Sequence, residues 1–338
     1  HQFADSNRLR TAAADITGVI PLMVVSDYLT EIAEATLEQV VRLAWQHLVA
    51  RHGRPQGMNT EGTGFAVLGY GKLGGIELGY ASDLDMVFLH DSYPHSAMTD
   101  GAKPVANAVF FVRLGQRIVH FLTTRTPSGR LYEADMRLRP NGNSGMLVTS
   151  LEAFERYQLE HAWPWEHQAL IRARPVAGDA RLMAAFESSR RHILGQSRNA
   201  KELCHQVVDM REKMRTALDK GDDQQFDLKQ GKGGIADIEF MVQYSVLKGA
   251  HKHPELLDWT DNIRLLESLA KAGSLSAGQA QMLANSYRAF RAVYHRNSLQ
   301  ELPGLISVDR LTDERQGVAT LWQELMHIQN KLQKPTGE

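Results

Sequence analysis

The chain has 338 residues, 43 % apolar and 23 % charged, with a formal net charge of −1. That length allows two domains, and the near-neutral balance argues against non-specific nucleic-acid binding. A single cysteine, Cys204, excludes an intrachain disulfide framework and fits a reducing compartment.

The chain opens on His1 rather than Met, which reads as a piece of a longer polypeptide. No charged stretch followed by an apolar core marks a secretory leader, and no run of 18 apolar residues marks a membrane span. A cytoplasmic protein without membrane or nucleic-acid partners is expected. Residues 26–50 carry apolar side chains at helical spacing (Leu29, Ile32, Ala33, Leu37, Val40, Val41, Ala44, Leu48), with Ser26 at the start. The polar, glycine-bearing stretch 51–64 reads as a linker.

"FAVLGY" (65–70) and "LDMVFLH" (84–90) read as buried strands, and 91–104 as a loop. The helical period returns over 105–122. In "RLYEADMRLR" (130–139), Tyr132, Ala134, Met136 and Leu138 alternate with Glu133, Asp135, Arg137 and Arg139, the pattern of a half-buried strand with one charged face. "PNGNSG" follows as a turn. Residues 167–176 read as extended, with Arg172 and Arg174 on one face. Beyond 179 strand signals nearly vanish. Helical patterns occupy 180–194, 199–219, 234–249, 261–272, 276–299 and 313–333, so a mixed half precedes an all-helical half.

The chemistry concentrates in "GYGKLGGIELGYASDLDMVFLH" (69–90). Asp83 and Asp85, two apart at the head of a strand, share a face. Two adjacent carboxylates call for a cation between them, and oxygen ligands suit Mg²⁺. The turn Gly71, Lys72, Gly74, Gly75 brings backbone N–H groups and one positive charge where phosphate oxygens can approach. Ser82 precedes the pair. The order of residues is neither a P-loop nor a dinucleotide fingerprint. Together, loop and carboxylates describe a nucleoside triphosphate site. The 14 histidines lack zinc-ligand spacing. Asp237 and Glu239 open a helix, where the dipole favours negative charge, and read as structural.

These residues resemble the signature of the DNA polymerase β-type nucleotidyltransferase superfamily: glycine and a neighbour, about ten residues, Asp-x-Asp on a strand, and a third carboxylate on a later strand. Lys72 stands where many relatives have serine. Four stretches, "GYGKLGGIELGYASDLDMVFLHD", "RLYEADMRLRPNGNSGMLVTS", "WEHQALIRARPVAGD" and "FDLKQGKGGIADIEFMVQY", resemble the glutamine-synthetase adenylyltransferase family more closely, over roughly residues 26–330. That family pairs a half that attaches AMP to a tyrosine of glutamine synthetase with a half that removes it by phosphorolysis. The "GYASDLD…FLHD" form resembles the attaching, C-terminal half.

The resemblance implies an α+β chain: an N-terminal helical segment (1–60), a polymerase β-like nucleotidyltransferase core of a small mixed sheet with helices (61–178), and an all-α helical bundle (179–338). It implies Asp83, Asp85 and Asp135 as catalytic metal ligands for Mg²⁺ or Mn²⁺, with Glu133 as the alternative third carboxylate. ATP would be held by Gly71, Lys72, Gly74, Gly75, Ser82, Arg137, Arg139 and Lys229. Arg137 and Arg139 have an equal alternative, salt bridges to Glu133 and Asp135. Glutamine synthetase would be the protein substrate, and a PII-type nitrogen-signal protein a regulator. Two other readings stay open: phosphorolytic removal of AMP, and a regulatory docking module without turnover.

Overall fold

The computed structural model describes residues 1–57, 62–91, 94 and 96–327. The linker expected at 51–64, the loop at 91–104 and the last residues of the helix expected at 313–333 lie partly outside these. The chain divides into two compact units, one of residues 1–162 and 172–193, the other of 163–171 and 194–338. These boundaries differ from those drawn at 60 and 178, because the N-terminal helices pack with the sheet.

The first unit begins with helices α1 (Gln2–Ile16) and α2 (Leu22–His52). Strand β1 (Phe65–Gly69) leads through a four-residue turn of helix, α3 (Gly71–Gly74), to β2 (Leu84–His90). Helix α4 (Asn107–Thr123), strands β3 (Ala134–Asp135) and β4 (Val148–Ser150) and helix α5 (Leu151–Glu160) follow. Helix α6 (Pro164–Ile171) belongs to the second unit; strand β5 (Arg174–Gly178) and helix α7 (Ala180–Leu194) return the chain to the first.

The sheet runs β3-β2-β1-β5, with β4 also on β2. β1 lies antiparallel between β2 and β5; β3 and β4 pair with β2 in parallel. Phe65 and Val67 of β1 and Leu84, Met86 and Phe88 of β2 join α2 and α4 in one apolar core. Helix α2 contributes Leu29, Ala33, Leu37, Val40, Val41, Ala44 and Leu48 to it, seven of the residues that the helical spacing had singled out. Strand alternation then turns Asp85 to the opposite face.

Two expectations hold only in part. The extended segment expected at 167–176 begins only at Arg174, because residues 164–171 form a helix: Pro164 fits a first helical turn, and Glu166 and Gln168 are buried, hiding any amphipathic period. The strand at 130–139 shrinks to Ala134–Asp135, because the chain turns immediately after Met136.

The second unit gathers α6 with α8 (Ala200–Leu218), α9 (Ile235–Gly249), α10 (Asn262–Lys271), α11 (Ala277–Leu299) and α12 (Thr312–His327). Contrary to an all-helical expectation, β6 (Gln225–Asp227) pairs with β7 (Leu305–Ser307). Helix α9 is buried from Ile235 to Leu247 except for partly exposed Glu239, and packs against α6, α8, α10, α11 and α12. An apolar surface on every side suits such a central helix. Its one fully enclosed charge, Asp237, accepts from Arg211 Nε (2.6 Å), Arg215 and the Gly233 N–H (2.7 Å). That supports a structural role for Asp237. Among the described residues no helix is long and apolar enough to cross a membrane.

Candidate metal and nucleotide site

Three carboxylates converge at the start of β2. One oxygen each from Asp83, Asp85 and Asp135 lies within 4.8 Å of the others. Local structure explains why. Asp83 is exposed just before β2, and Asp85 is two residues on, on the same face. The Leu84 N–H donates to the Glu133 carbonyl (2.9 Å), setting β3 in parallel register with Leu84 opposite Ala134 and Asp85 opposite Asp135. Parallel register places Asp135 beside Asp85 on the same side of the sheet. Glu133 does not join them: its exposed side chain pairs with Arg130.

Arg137 is bound to Asp135. Its backbone N–H reaches Oδ1 (2.8 Å), its Nε reaches Oδ2 (2.8 Å), and an ion pair links Nη2 to Oδ2. These side-chain hydrogen bonds hold the Asp135 carboxyl below the usual carboxylate range, against the opposing effect of burial. Asp83 and Asp85 also favour the charged guanidinium of Arg137. Arg139 instead donates to the carbonyls of Met136 (2.6 Å), Asn143 (3.1 Å) and Gly145 (3.2 Å), tying down the turn after β3. The sequence alternatives for the two arginines thus part company: one is on the cluster, the other on backbone.

A lowered carboxyl stabilises the fold above its unfolded value, near 3.9, and that contribution is lost as pH falls through the folded value. The Asp135–Arg137 contribution is therefore intact at neutral pH and disappears only below about pH 4. Replacing Arg137 with Gln is expected to return the Asp135 carboxyl toward the ordinary range, read as an upward shift in its NMR titration.

The glycine turn is shaped by the carboxylates and by two arginines. Gly71 has φ +52°, and a Cβ there would sit 2.2 Å from Asp85 Oδ2. Only glycine lets the Asp85 carboxylate lie against this backbone. Gly71→Ala should cost about 1–2 kcal/mol from the left-handed conformation. It should also displace Asp85 and weaken binding of a divalent ion by the three carboxylates, checked by thermal melting beside a Mn²⁺ titration. Gly74 and Gly75 are buried, and side chains there would strike the Arg172 carbonyl (1.9 Å) and guanidinium (2.3 Å) respectively. Lys72 is partly exposed in α3. Ser82 closes the turn before β2 by accepting from the Gly79 N–H (3.0 Å). Lys229, exposed between β6 and α9, belongs to the second unit.

Two supports escaped sequence reading. Arg172 and Glu77 form a buried ion pair behind the glycine turn. Arg174 donates to the carbonyls of Gly74 (3.0 Å) and Leu73 (3.1 Å), at the C-terminal end of α3, and pairs with Glu34. The alternating arginines of "IRARPV" were the available signal; their acidic partners lie 95 and 140 residues away in sequence.

Oxygen-only donors in threes, partly open to solvent, form a set suited to Mg²⁺ or Mn²⁺ rather than zinc or copper. A family model described as glutamate-ammonia ligase adenylyltransferase matches residues 1–189, and one described as GlnD PII-uridylyltransferase matches residues 205–331. The chain belongs to the glutamate-ammonia ligase adenylyltransferase family, whose name is that of a nucleotidyltransferase. It is 54 % identical over 327 residues to the bifunctional glutamine synthetase adenylyltransferase/adenylyl-removing enzyme of Nitrosococcus oceani. It is 52 % identical over 341 residues to the enzyme of the same name from Pseudomonas putida, and 54 % over 329 to that of Thioalkalivibrio sulfidiphilus. Each match covers 96 % of this chain but 34 % of the relative, so the chain spans about a third of the length of these relatives.

Proposed function

We propose that this chain transfers AMP from ATP to a tyrosine hydroxyl of glutamine synthetase, releasing pyrophosphate. The convergence of Asp83, Asp85 and Asp135 on one face of β2 and β3 carries the reading. The relatives' shared name supports the substrate and the chemistry. In this reading residues 61–178 form a polymerase β-like nucleotidyltransferase core and 179–338 a helical bundle domain. The carboxylates hold Mg²⁺ or Mn²⁺, which would neutralise triphosphate charge and act as a Lewis acid at the α-phosphate.

The chain's own residues do the rest. The phenolic oxygen forms a bond to the α-phosphorus as the bond to the β-phosphate oxygen breaks, and pyrophosphate leaves with that electron pair. Asp135 takes the phenolic proton. Arg137 lies on the surface with its side chain 72 % exposed, and in this reading it swings from Asp135 to the departing phosphates. That move leaves Asp135 a better base at the moment one is needed. Lys72 and the backbone at Gly71 face the triphosphate in this reading. Gly74, Gly75, Ser82 and Arg139 shape the turns that present it. Control by a PII-type nitrogen-signal protein belongs to the same proposal.

The relatives are named for both attachment and removal of AMP, so phosphorolytic removal is the second reading. One assay separates them. The chain is incubated with labelled ATP, Mg²⁺ and glutamine synthetase, and separately with labelled adenylylated synthetase and phosphate. Label gained in the first reaction only supports transfer; release in the second only reverses the direction; neither removes the enzyme reading in favour of a docking module.

A further inference from the structure

Helices α2 and α4 run side by side over the sheet, and their outer surfaces enclose a groove of about 510 Å³. His47, Arg51 and His52 line it from α2, and Arg113, Arg117 and His120 from α4. Among the described residues no carboxylate lines the groove. Among the described residues no Asp or Glu pairs with Arg51, Arg113 or Arg117. Three permanent positive charges therefore stand together without a counter-ion among the described residues.

The arrangement is built rather than incidental. His52 is buried, and its Nδ1 lies 2.7 Å from the Lys103 carbonyl, which can only accept. Nδ1 therefore carries the proton, and Nε2 is left to accept from Arg113 Nη1 at 3.1 Å. A buried imidazole thus fixes the Arg113 guanidinium at the mouth of the groove. One turn later, Arg117 Nη2 donates to His47 Nε2 at 3.2 Å. Each guanidinium has five N–H donors, so most remain available. The helix dipole accounts for cations at the end of α2, where Arg51 and His52 lie. It does not account for Arg113 and Arg117, mid-helix and four apart, where like charges repel.

We infer that the α2–α4 groove is a binding site for a small anion bearing two adjacent phosphoryl groups, separate from the carboxylate cluster. Two guanidinium forks one helical turn apart match two linked phosphoryl groups better than one, since each fork binds an oxyanion through paired N–H donors. Inorganic pyrophosphate and a nucleoside diphosphate share that chemistry.

The test is isothermal titration of the full chain with inorganic pyrophosphate and, separately, ADP. Excess chelator keeps divalent metal from recruiting either ligand to the carboxylates. Saturable binding near one equivalent is expected. It should survive in Asp83→Asn/Asp85→Asn and weaken at least about tenfold in Arg113→Gln and again in Arg113→Gln/Arg117→Gln. Affinity should fall as salt rises. Equal affinities would make diphosphate the recognised group, and tighter ADP binding would add the nucleoside. Both arginines are on the surface, so circular dichroism should show folded variants. Absence of saturable binding, or binding indifferent to both arginines yet lost in the aspartate variant, would overturn the assignment.

Discussion

Under the proposed function, Asp83→Asn and Asp85→Asn are each expected to reduce AMP transfer by at least about a thousandfold while leaving the melting temperature of the metal-free protein equal to or above wild type. The two halves of this expectation have one cause. Three carboxylates with oxygens within 4.8 Å of one another repel, and the single Arg137 guanidinium on Asp135 offsets only part of their charge. Removing one charge relieves that repulsion in the empty protein and removes a ligand from the loaded one. Asparagine keeps the shape, and Asp83 is exposed and Asp85 partly exposed, so neither change empties a fully buried position. Melting scans with and without Mg²⁺, beside a labelled-ATP assay, read both halves. A variant that unfolds would show that the carboxylates serve the core.

The second large effect lies behind the glycine turn. Glu77→Ala removes the carboxylate paired with Arg172, whose side chain is 6 % exposed. Leaving a buried guanidinium without its partner costs about 3–5 kcal/mol. For a unit of this size that is a fall in Tm of roughly 6–20 °C. Because Arg172 also fills the space beside Gly74 and Gly75, the turn should loosen, and the proposed transfer activity should fall with it. The double replacement Glu77→Leu with Arg172→Met should recover most of the stability, since an apolar pair of similar volume avoids desolvating charge. Denaturant unfolding of the three variants separates lost pairing from lost packing: without recovery in the double variant, the guanidinium is needed for its hydrogen bonds rather than for its charge balance.

Much of the site was legible because its signals are local. The strand 84–90 is an apolar run flanked by Asp83 and Asp91, and it forms with those limits. Asp83 and Asp85 share a face through strand period alone. Asp135 was reachable through alternation in 130–139, although the strand there is two residues long, because alternation needs only the register of one pair. Its preference over Glu133 rested only on its more central place in the run. Which of two carboxylates turns toward β2 depends on the Leu84 to Glu133 hydrogen bond between strands about 50 residues apart. The Glu77–Arg172 and Glu34–Arg174 pairs were hidden for the same reason. Helix α6 was misread because Glu166 and Gln168 are buried among apolar residues, so burial there follows tertiary packing rather than polarity. Helix α1, with only Ala4 and Thr11 buried, offers too weak an apolar stripe to be seen.

The most direct measurement is anomalous diffraction from crystals grown with Mn²⁺ and a non-hydrolysable ATP analogue. The account predicts density for an ion about 2.1 Å from oxygens of Asp83, Asp85 and Asp135, touching the triphosphate. An ion bound elsewhere, or a nucleotide seated with these three side chains pointing apart and no ion near them, would contradict it.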